Sequence, residues 1–529
     1  MRAKWLGGFA LVVLFAVGAW GAGLQADATT DGRLIEALKA GDKAAASSLL
    51  QQHVNVNAAE PDGTTALHWA VRADDVDAAV RLIRAGANVK AVNRYGMTPL
   101  SLAATNGNAR VIEALLKAGA NANDTRPEGE TALMTAARTG KVEAVKALLA
   151  HGANANAKET WFGQTALMWA AAENHAAVIQ ALVEHGAEIN VRATVLEPPK
   201  RETIDFRTDK NGQALQTLLT TFPRGGLTPL LFAARHGALD AARVLVEGGA
   251  DVNRPDPDGI TPIELAIRNG HYDLAAMLVD KGADVNAADA AGRTPLYVAV
   301  DMHTLDWIQN RPAPRPSGTR DSLDLVKLLL DRGANPKAEL KTAPPGWKGD
   351  AVAAQNTFGG VVGPGTTPYM RAAKNADLPI MRLLLEKGAD PNLTTRGHTT
   401  ALMATVGGLG RKYGADLQVT PEEERNVIAV VSLSLERGAD INAANDAGQT
   451  ALHGAAMLGA NRLVQFLVDR GARLDAKTAQ GRTPLDEALR GVTNIDGAPG
   501  ESHEDTAALL RQLMEKNGIA ASSAKRAGQ

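Results

Sequence analysis

Asp258-Gly259-Ile260-Thr261-Pro262-Ile263-Glu264-Leu265-Ala266-Ile267-Arg268-Asn269-Gly270-His271 closes, after a further apolar run, at Gly282-Ala283-Asp284-Val285-Asn286. Thr261 and Pro262 predict a helix start. Threonine accepts an orphan backbone N–H at an N-cap, and proline suits the first helical position because its missing donor is not needed there. Gly282 follows an apolar helix, where glycine tolerates the left-handed cap. The short side chains of Asp284 and Asn286 then suit a tight turn. The stretch predicts two short helices and a turn, a unit too small to bury its own apolar face.

Working outward, the threonine returns at Thr65, Thr98, Thr131, Thr165, Thr228, Thr261, Thr294, Thr367, Thr400, Thr450 and Thr483. The successive spacings are 33, 33, 34, 63, 33, 33, 73, 33, 50 and 33. A fixed period in this range means a stacked solenoid in which each unit contacts its neighbours. Such a chain displays an extended surface, so the beat points to binding before chemistry. A glycine stands 21 residues after the threonine at Gly86, Gly119, Gly152, Gly186, Gly249, Gly282, Gly388 and Gly471. Proline follows the threonine in six units and alanine in the other five.

These residues resemble the framework of the ankyrin-repeat family, D-x-x-G-x-T-P-L-H-x-A-A-x-x-G-H and L-L-x-x-G-A-D-V-N. The likeness runs from about Asp31 to Gly518. It implies an all-α fold, an ankyrin-repeat solenoid of helix-turn-helix units with about 11 repeats and an atypical N-terminal cap. That cap spans Leu34 to Asn57, with His53 where the phase expects glycine, and the unit from Thr483 resembles a C-terminal cap. His68 and His453 match the family's T-x-L-H histidine, whose ring bonds neighbouring backbone, and His271 matches the G-H position.

The two markers also act as a ruler. Thr294 to Gly333 is 39 residues and Thr400 to Gly438 is 38, which leaves 18 and 17 extra residues between helices, near 301–320 and 407–421. Gly-to-Thr is normally 12, yet Gly186 to Thr228 is 42 and Gly333 to Thr367 is 34. Those 30 and 22 extra residues fall in inter-repeat fingers near 193–225 and 338–364, and a further insertion falls near 491–504. The organisation predicted is a signal peptide at 1–28, the cap and repeats 1–4 at 29–192, and the finger insertion at 193–225. Repeats 5–11 follow at 226–518, with a disordered tail at 519–529. In the family, finger insertions lie on the rim of the concave, partner-facing surface. Trp307 and Trp347 sit within two of the insertions.

The first residues read as a targeting segment. Arg2 and Lys4 precede an apolar stretch of 15 residues, Leu6 to Trp20, and Ala26-Asp27-Ala28 offers the small-x-small pattern of a cleavage site. The apolar stretch is short against the roughly 20 residues that span a bilayer. Cleavage is expected after Ala28, with Ala19-Trp20-Gly21 as a second site and an uncleaved N-terminal anchor as the alternative. Either way the repeats lie outside the cytoplasm, periplasmic or secreted, and the Ala/Gly-rich chain fits a bacterial envelope. Cysteine is absent, which excludes disulfides, thiolate catalysis and cysteine-ligated zinc.

Lys+Arg of 56 against Asp+Glu of 58 gives a net charge of −2, and no bulk field argues for nucleic acid. No metal, cofactor or catalytic set is expected. Asp256-Pro257-Asp258-Gly259 lacks the remaining ligands of a calcium loop, having Arg254 and Leu265 where acids are needed. Gly407-Gly408-Leu409-Gly410-Arg411-Lys412 lacks the ending of a phosphate loop. The informative positions are on the surface. Seven residues after each threonine stand Arg72, Thr105, Arg138, Ala172, Arg235, Arg268, Asp301, Lys374, Gly407, Met457 and Arg490, six of them basic. Tyr95, Trp161 and Phe162 fall at finger tips, while Trp69, Trp169 and Phe232 read as half-buried packing residues. Tryptophan, tyrosine and arginine are the residues that dominate binding hot spots.

The function expected is a non-enzymatic protein–protein interaction scaffold, exported and binding another periplasmic or envelope protein on its concave face. Its surface is placed on Tyr95, Arg138, Trp161, Phe162, Arg235 and Arg268. The alternative is a binder of an anionic polymer or small ligand through the basic row. A third is an enzyme built from the insertion loops.

Overall fold

In a computed structural model of the chain the described residues are 30–196, 224–303, 316–342, 363–409, 419–491 and 502–519. The predicted signal segment and tail, Trp307, Trp347 and the middle of every insertion lie outside them. The chain divides into two compact units, Met1–Asn121 and Ala122–Gln529. Among the described residues are 24 α-helices and one antiparallel pair of two-residue strands.

The first unit holds helix pairs Thr30–Lys39 with Lys43–Gln51, Ala66–Arg72 with Val76–Arg84, and Pro99–Asn106 with Ala109–Lys117. In the second and third pairs the first helix starts at the framework threonine. Thr98 shows the device: its hydroxyl accepts the Ser101 N–H at 3.1 Å, and the Ser101 hydroxyl accepts the Thr98 N–H at 2.9 Å. Two orphan donors are satisfied reciprocally. Second helices in this unit start at Asp42, Asp75 or Asn108, whose side chains accept the N–H three residues on. In the atypical first pair, His53 itself adopts the left-handed conformation, at φ 54°, where other units have glycine.

The second unit repeats the pattern from Ala132–Arg138 to Glu504–Lys516. Its core is small aliphatic side chains, such as Leu133, Ala136, Leu148, Ala171, Leu182, Ala233, Leu245 and Leu278, all buried. Alanine on the first helices lets neighbouring repeats approach closely, and each buried leucine supplies roughly 2–5 kcal/mol against truncation to alanine.

An asparagine ladder joins the turns. Asn57 donates to the Gly86 carbonyl at 3.1 Å and accepts the Asn88 N–H at 2.6 Å. In the second unit Asn123, Asn156, Asn190, Asn253, Asn286, Asn392 and Asn442 donate to the next unit's helix-ending glycine, at 2.9–3.3 Å. Each rung satisfies a carbonyl that has no partner within its helix. Asn190 and Gly249 are 59 residues apart, and Asn286 and Gly333 are 47. The insertions are therefore extruded without shifting the register. Lys90, Lys337 and Asp475 occupy the ladder position in the three remaining turns of this kind.

The insertions close at their bases. Strand β1, Val195–Leu196, pairs antiparallel with β2, Arg224–Gly225. The Leu340 N–H donates to the Thr366 carbonyl at 3.0 Å at the foot of the second finger insertion. One expectation changes: residues around 407–421 do not all form a loop. The second helix of that unit, Pro421–Glu436, has 16 residues where Val142–Ala150 has 9, so part of the insertion becomes extra helix. Thr420 and Glu423 start it with a capping box, which fixes the earlier N-terminus.

Candidate functional site

The one spacing of 34 in an uninterrupted run lies between Thr131 and Thr165, and the extra residue enters a finger tip. Glu60 and Glu159 hold the same place at the foot of their fingers. The Glu60 N–H donates to the Thr64 carbonyl at 2.9 Å, and the Glu159 N–H donates to the Gln164 carbonyl at 3.0 Å. The Glu60 finger closes with the Gly63 N–H on the Glu60 carbonyl. The Glu159 finger is one residue longer, closing from Gly163 to Glu159 at 3.2 Å. The longer turn presents three N–H groups inward, and the Glu159 carboxylate accepts all of them: Trp161 at 2.7 Å, Phe162 at 2.9 Å and Gln164 at 2.8 Å. Glu159 is buried, while Trp161 is 65% exposed and Phe162 48%. A buried carboxylate thus fixes the backbone beneath two exposed aromatic rings.

This arrangement has a local cost. The Glu60 carboxylate is free to accept the Trp69 indole N–H, at 2.6 Å. The Trp169 indole N–H is buried without an acceptor among the described residues, because Glu159 faces its own tip. An unsatisfied buried donor costs about 1–3 kcal/mol. The Arg138 guanidinium lies 4.9 Å over the Trp169 ring, which offsets part of it.

Phe162 reaches the next finger. Its carbonyl accepts the Thr194 N–H at 2.7 Å, placing Val195 and Leu196, 40% and 36% exposed, beside the tip. Gly163 fits under this junction with φ 63°, where an added Cβ would meet the Thr194 N at 3.0 Å.

The basic row is divided by its surroundings. Arg72 stacks 5.2 Å over Trp69, and Arg138 also lies 3.8 Å from Glu130. Arg235 is exposed. Arg268, expected at the surface, instead turns inward: it pairs with Glu264 and, at 3.1 Å, with Asp289. Its side chain is 18% exposed. The inward acceptors are Asp289 and Glu264, the latter standing where the family places histidine. Asp301, at the same row position, pairs with the fully buried Arg371. Tyr95 lies in the first unit, 66% exposed, with its N–H on Asn93 at 3.0 Å.

Around Glu264 the second unit holds a buried ionic cluster. Arg293 Nε donates to Asp289 at 2.7 Å, and Asp289 also accepts the N–H groups of Ala291 and Arg293. Burial pushes the Glu264 carboxyl up to about 8, Arg268 and Arg293 pulling against it and Asp289 with it. Burial likewise raises the Tyr297 phenol, next to Asp301 and Arg371. The residues are arranged as charge pairs within the stack, with Asp289 shared between two arginines.

The framework histidines act structurally. His68 Nδ1 accepts the Thr65 N–H at 3.2 Å and Nε2 donates to the Met97 carbonyl at 3.1 Å. His453 does the same with Thr450 and Arg482, at 3.1 and 3.2 Å. A backbone N–H only donates, so Nδ1 must be unprotonated and the ring neutral. Burial lowers the affinity of both rings for a proton.

Sequence reasoning singled out Tyr95, Trp161 and Phe162 but missed Glu159, Val195 and Leu196, and it missed the Glu264 cluster. Signals existed for two of these: the 34-residue spacing flagged the altered tip, and glutamate at a histidine position flagged the cluster.

A fold of stacked threonine-capped helix pairs with projecting fingers defines a repeat scaffold. A family model described as ankyrin repeats in three copies matches residues 34–126, 118–193, 207–289 and 423–512, and one described as ankyrin repeat matches 365–396. The chain belongs to the ankyrin-repeat family. It is 33% identical to mouse ankyrin repeat and SOCS box protein 16 over 126 residues, which are 24% of this chain. The match spans 26% of that protein's length. Among solved structures, the human ASB11 ankyrin repeat domain is similar at 25% identity, over 47% of this chain and 98% of its own, with a TM-score of 0.37. The ankyrin repeat domain of Bcl-3 is similar at 24% identity, over 50% and 99%, with a TM-score of 0.37. Ankyrin repeats in general mediate protein–protein interaction.

Proposed function

We propose that the protein is a non-enzymatic, exported scaffold that binds another envelope protein with the fingers and first-helix ends of its concave face. The observation that carries this reading is the pair Trp161 and Phe162, exposed on a turn whose backbone is held by the buried Glu159. Exposed aromatics on a preordered backbone bind with little ordering cost, which is how repeat surfaces reach useful affinity. Arg138 and Arg235 add exposed cations in the same unit, and Tyr95 is a separate contact in the first unit. Export is inferred from Arg2, Lys4, the Leu6 to Trp20 stretch and Ala26-Asp27-Ala28.

The test is affinity capture from a periplasmic extract with the wild-type chain and with Trp161→Ala/Phe162→Ala. The expected outcome is loss of a specific partner in the double variant. Identical captured proteins from both would place the binding surface elsewhere.

A further inference from the structure

Resting on the scaffold reading above, we propose that the Trp161–Phe162 tip, with the adjoining Val195–Leu196 strand, binds an acidic protein segment that carries apolar side chains. Six large apolar side chains are exposed among the described residues, and these four, at 65%, 48%, 40% and 36%, sit on two adjoining loops. The hydrogen bond from Thr194 to Phe162, 2.7 Å, holds their two loops together. Concentration of exposed apolar area in one place, where the rest of the unit has none, marks an interaction site.

The charges around the face are cationic. Lys158 is exposed, and its ammonium donates to the Arg192 carbonyl at 3.0 Å. The Arg192 guanidinium donates to the carbonyls of Gly226 at 3.0 Å and Pro255 at 2.7 Å, acceptors that carry no net charge. Burial and the neighbouring Arg254 disfavour its proton, against the pull of Asp256. Arg254, which neighbours Arg192, is half-buried. Two of the described carboxylates nearby are occupied. Glu159 is buried under its three N–H donors. Asp256 accepts the N–H groups of Asp258 and Ile260, each at 2.9 Å, within its own finger. Glu128 is exposed on the preceding finger.

Aromatic and aliphatic side chains flanked by Lys158, Arg192 and Arg254 match a partner with apolar anchors and flanking carboxylates. Arginine and lysine are then paired one carboxylate at a time. A uniformly anionic lipid surface fits less well, because it would also meet the exposed Glu128.

The experiment measures fluorescence anisotropy with the full chain and three labelled peptide series. All share alternating Leu and Phe, with Asp/Glu, Ser or Lys between them. Vesicles of equal parts phosphatidylglycerol and phosphatidylcholine form a separate arm. The acidic series is expected to bind. Its affinity should fall about ten-fold or more in Lys158→Glu/Arg254→Glu and in Trp161→Ala/Phe162→Ala, both unfolding at the wild-type temperature. Equal binding of the basic series that still requires Trp161 overturns the acidic assignment and leaves the scaffold reading standing. Failure of every acidic peptide, or vesicle binding that depends on Trp161 without peptide binding, also overturns it. If neither peptides nor captured proteins depend on Trp161, both readings fall.

Discussion

The Glu159 carboxylate accepts the backbone N–H of Trp161 at 2.7 Å, whereas its positional counterpart Glu60 accepts the indole N–H of Trp69 at 2.6 Å. One inserted residue separates the two outcomes. Replacing Glu159 with Ala removes the acceptor of three tip N–H groups. Amide exchange at Trp161, Phe162 and Gln164 is expected to accelerate, with a stability loss of about 1–2 kcal/mol. Native-state hydrogen exchange and a urea transition check both. Unchanged exchange at Trp161 would show that the tip is ordered by other means.

Gly282 sits at φ 91° with nothing within 4 Å of an added Cβ, so a substitution there costs backbone strain alone. Gly282→Val is expected to lower stability by about 1–3 kcal/mol, and Gly282→Ala by less, because β-branching worsens the left-handed conformation. Thermal unfolding of the two variants against wild type gives the order.

Glu264 has its carboxyl raised from 4.5 to about 8 in the folded chain. The native state then holds a proton that the unfolded state releases, so its contribution is full below about pH 4.5 and is lost as pH rises through about 8. Glu264→Gln keeps the shape and removes the titration. Urea midpoints of wild type and variant should diverge in the variant's favour between pH 5 and pH 9. Parallel curves would show that Glu264 is ionised throughout.

His68 and His453 behave in the opposite sense. Their folded proton affinity lies below the ordinary value of 6.5, because burial and the N–H donors of Thr65 and Thr450 require a neutral ring. The stability they supply is present above about pH 6.5 and is lost as pH falls toward the folded value. The double variant His68→Gln/His453→Gln should be less stable at neutral pH yet lose less between pH 7 and pH 5. Thermal melts across that range provide the comparison.

Lys337 occupies a ladder position that asparagine fills in eight other turns. Lys337→Asn supplies the side chain that donates to a Gly388 carbonyl and accepts the Asp390 N–H, by analogy with Asn392, Gly438 and Asp440. A gain of about 0.5–1.5 kcal/mol is expected from the two bonds. A urea transition no steeper and no later than wild type would mean that the finger insertion holds these turns apart.

Much of this was readable in advance. Thr261, Pro262 and Gly282 announce helix start and stop because capping depends on a few atoms within one turn. The tip positions of Trp161 and Phe162 follow from counting back from Thr165. The basic row read from Arg72, Arg138 and Arg268 did not survive intact, since whether a cation faces solvent depends on what the next repeat offers it. For Arg138 that was the Trp169 ring, and for Arg268 it was Asp289, joined by Glu264 on its own helix.

By itself the sequence determined the family, the helix boundaries and the places where the beat is interrupted, because these rest on short-range backbone chemistry repeated many times. The tertiary structure alone decided which charges are spent inside the stack and which apolar side chains remain outside it. Thr194 and Phe162 are far enough apart in the chain that only the stacking of their fingers brings Val195 and Leu196 beside Trp161. Surface character is a property of neighbours distant in the chain, and those neighbours are supplied by packing.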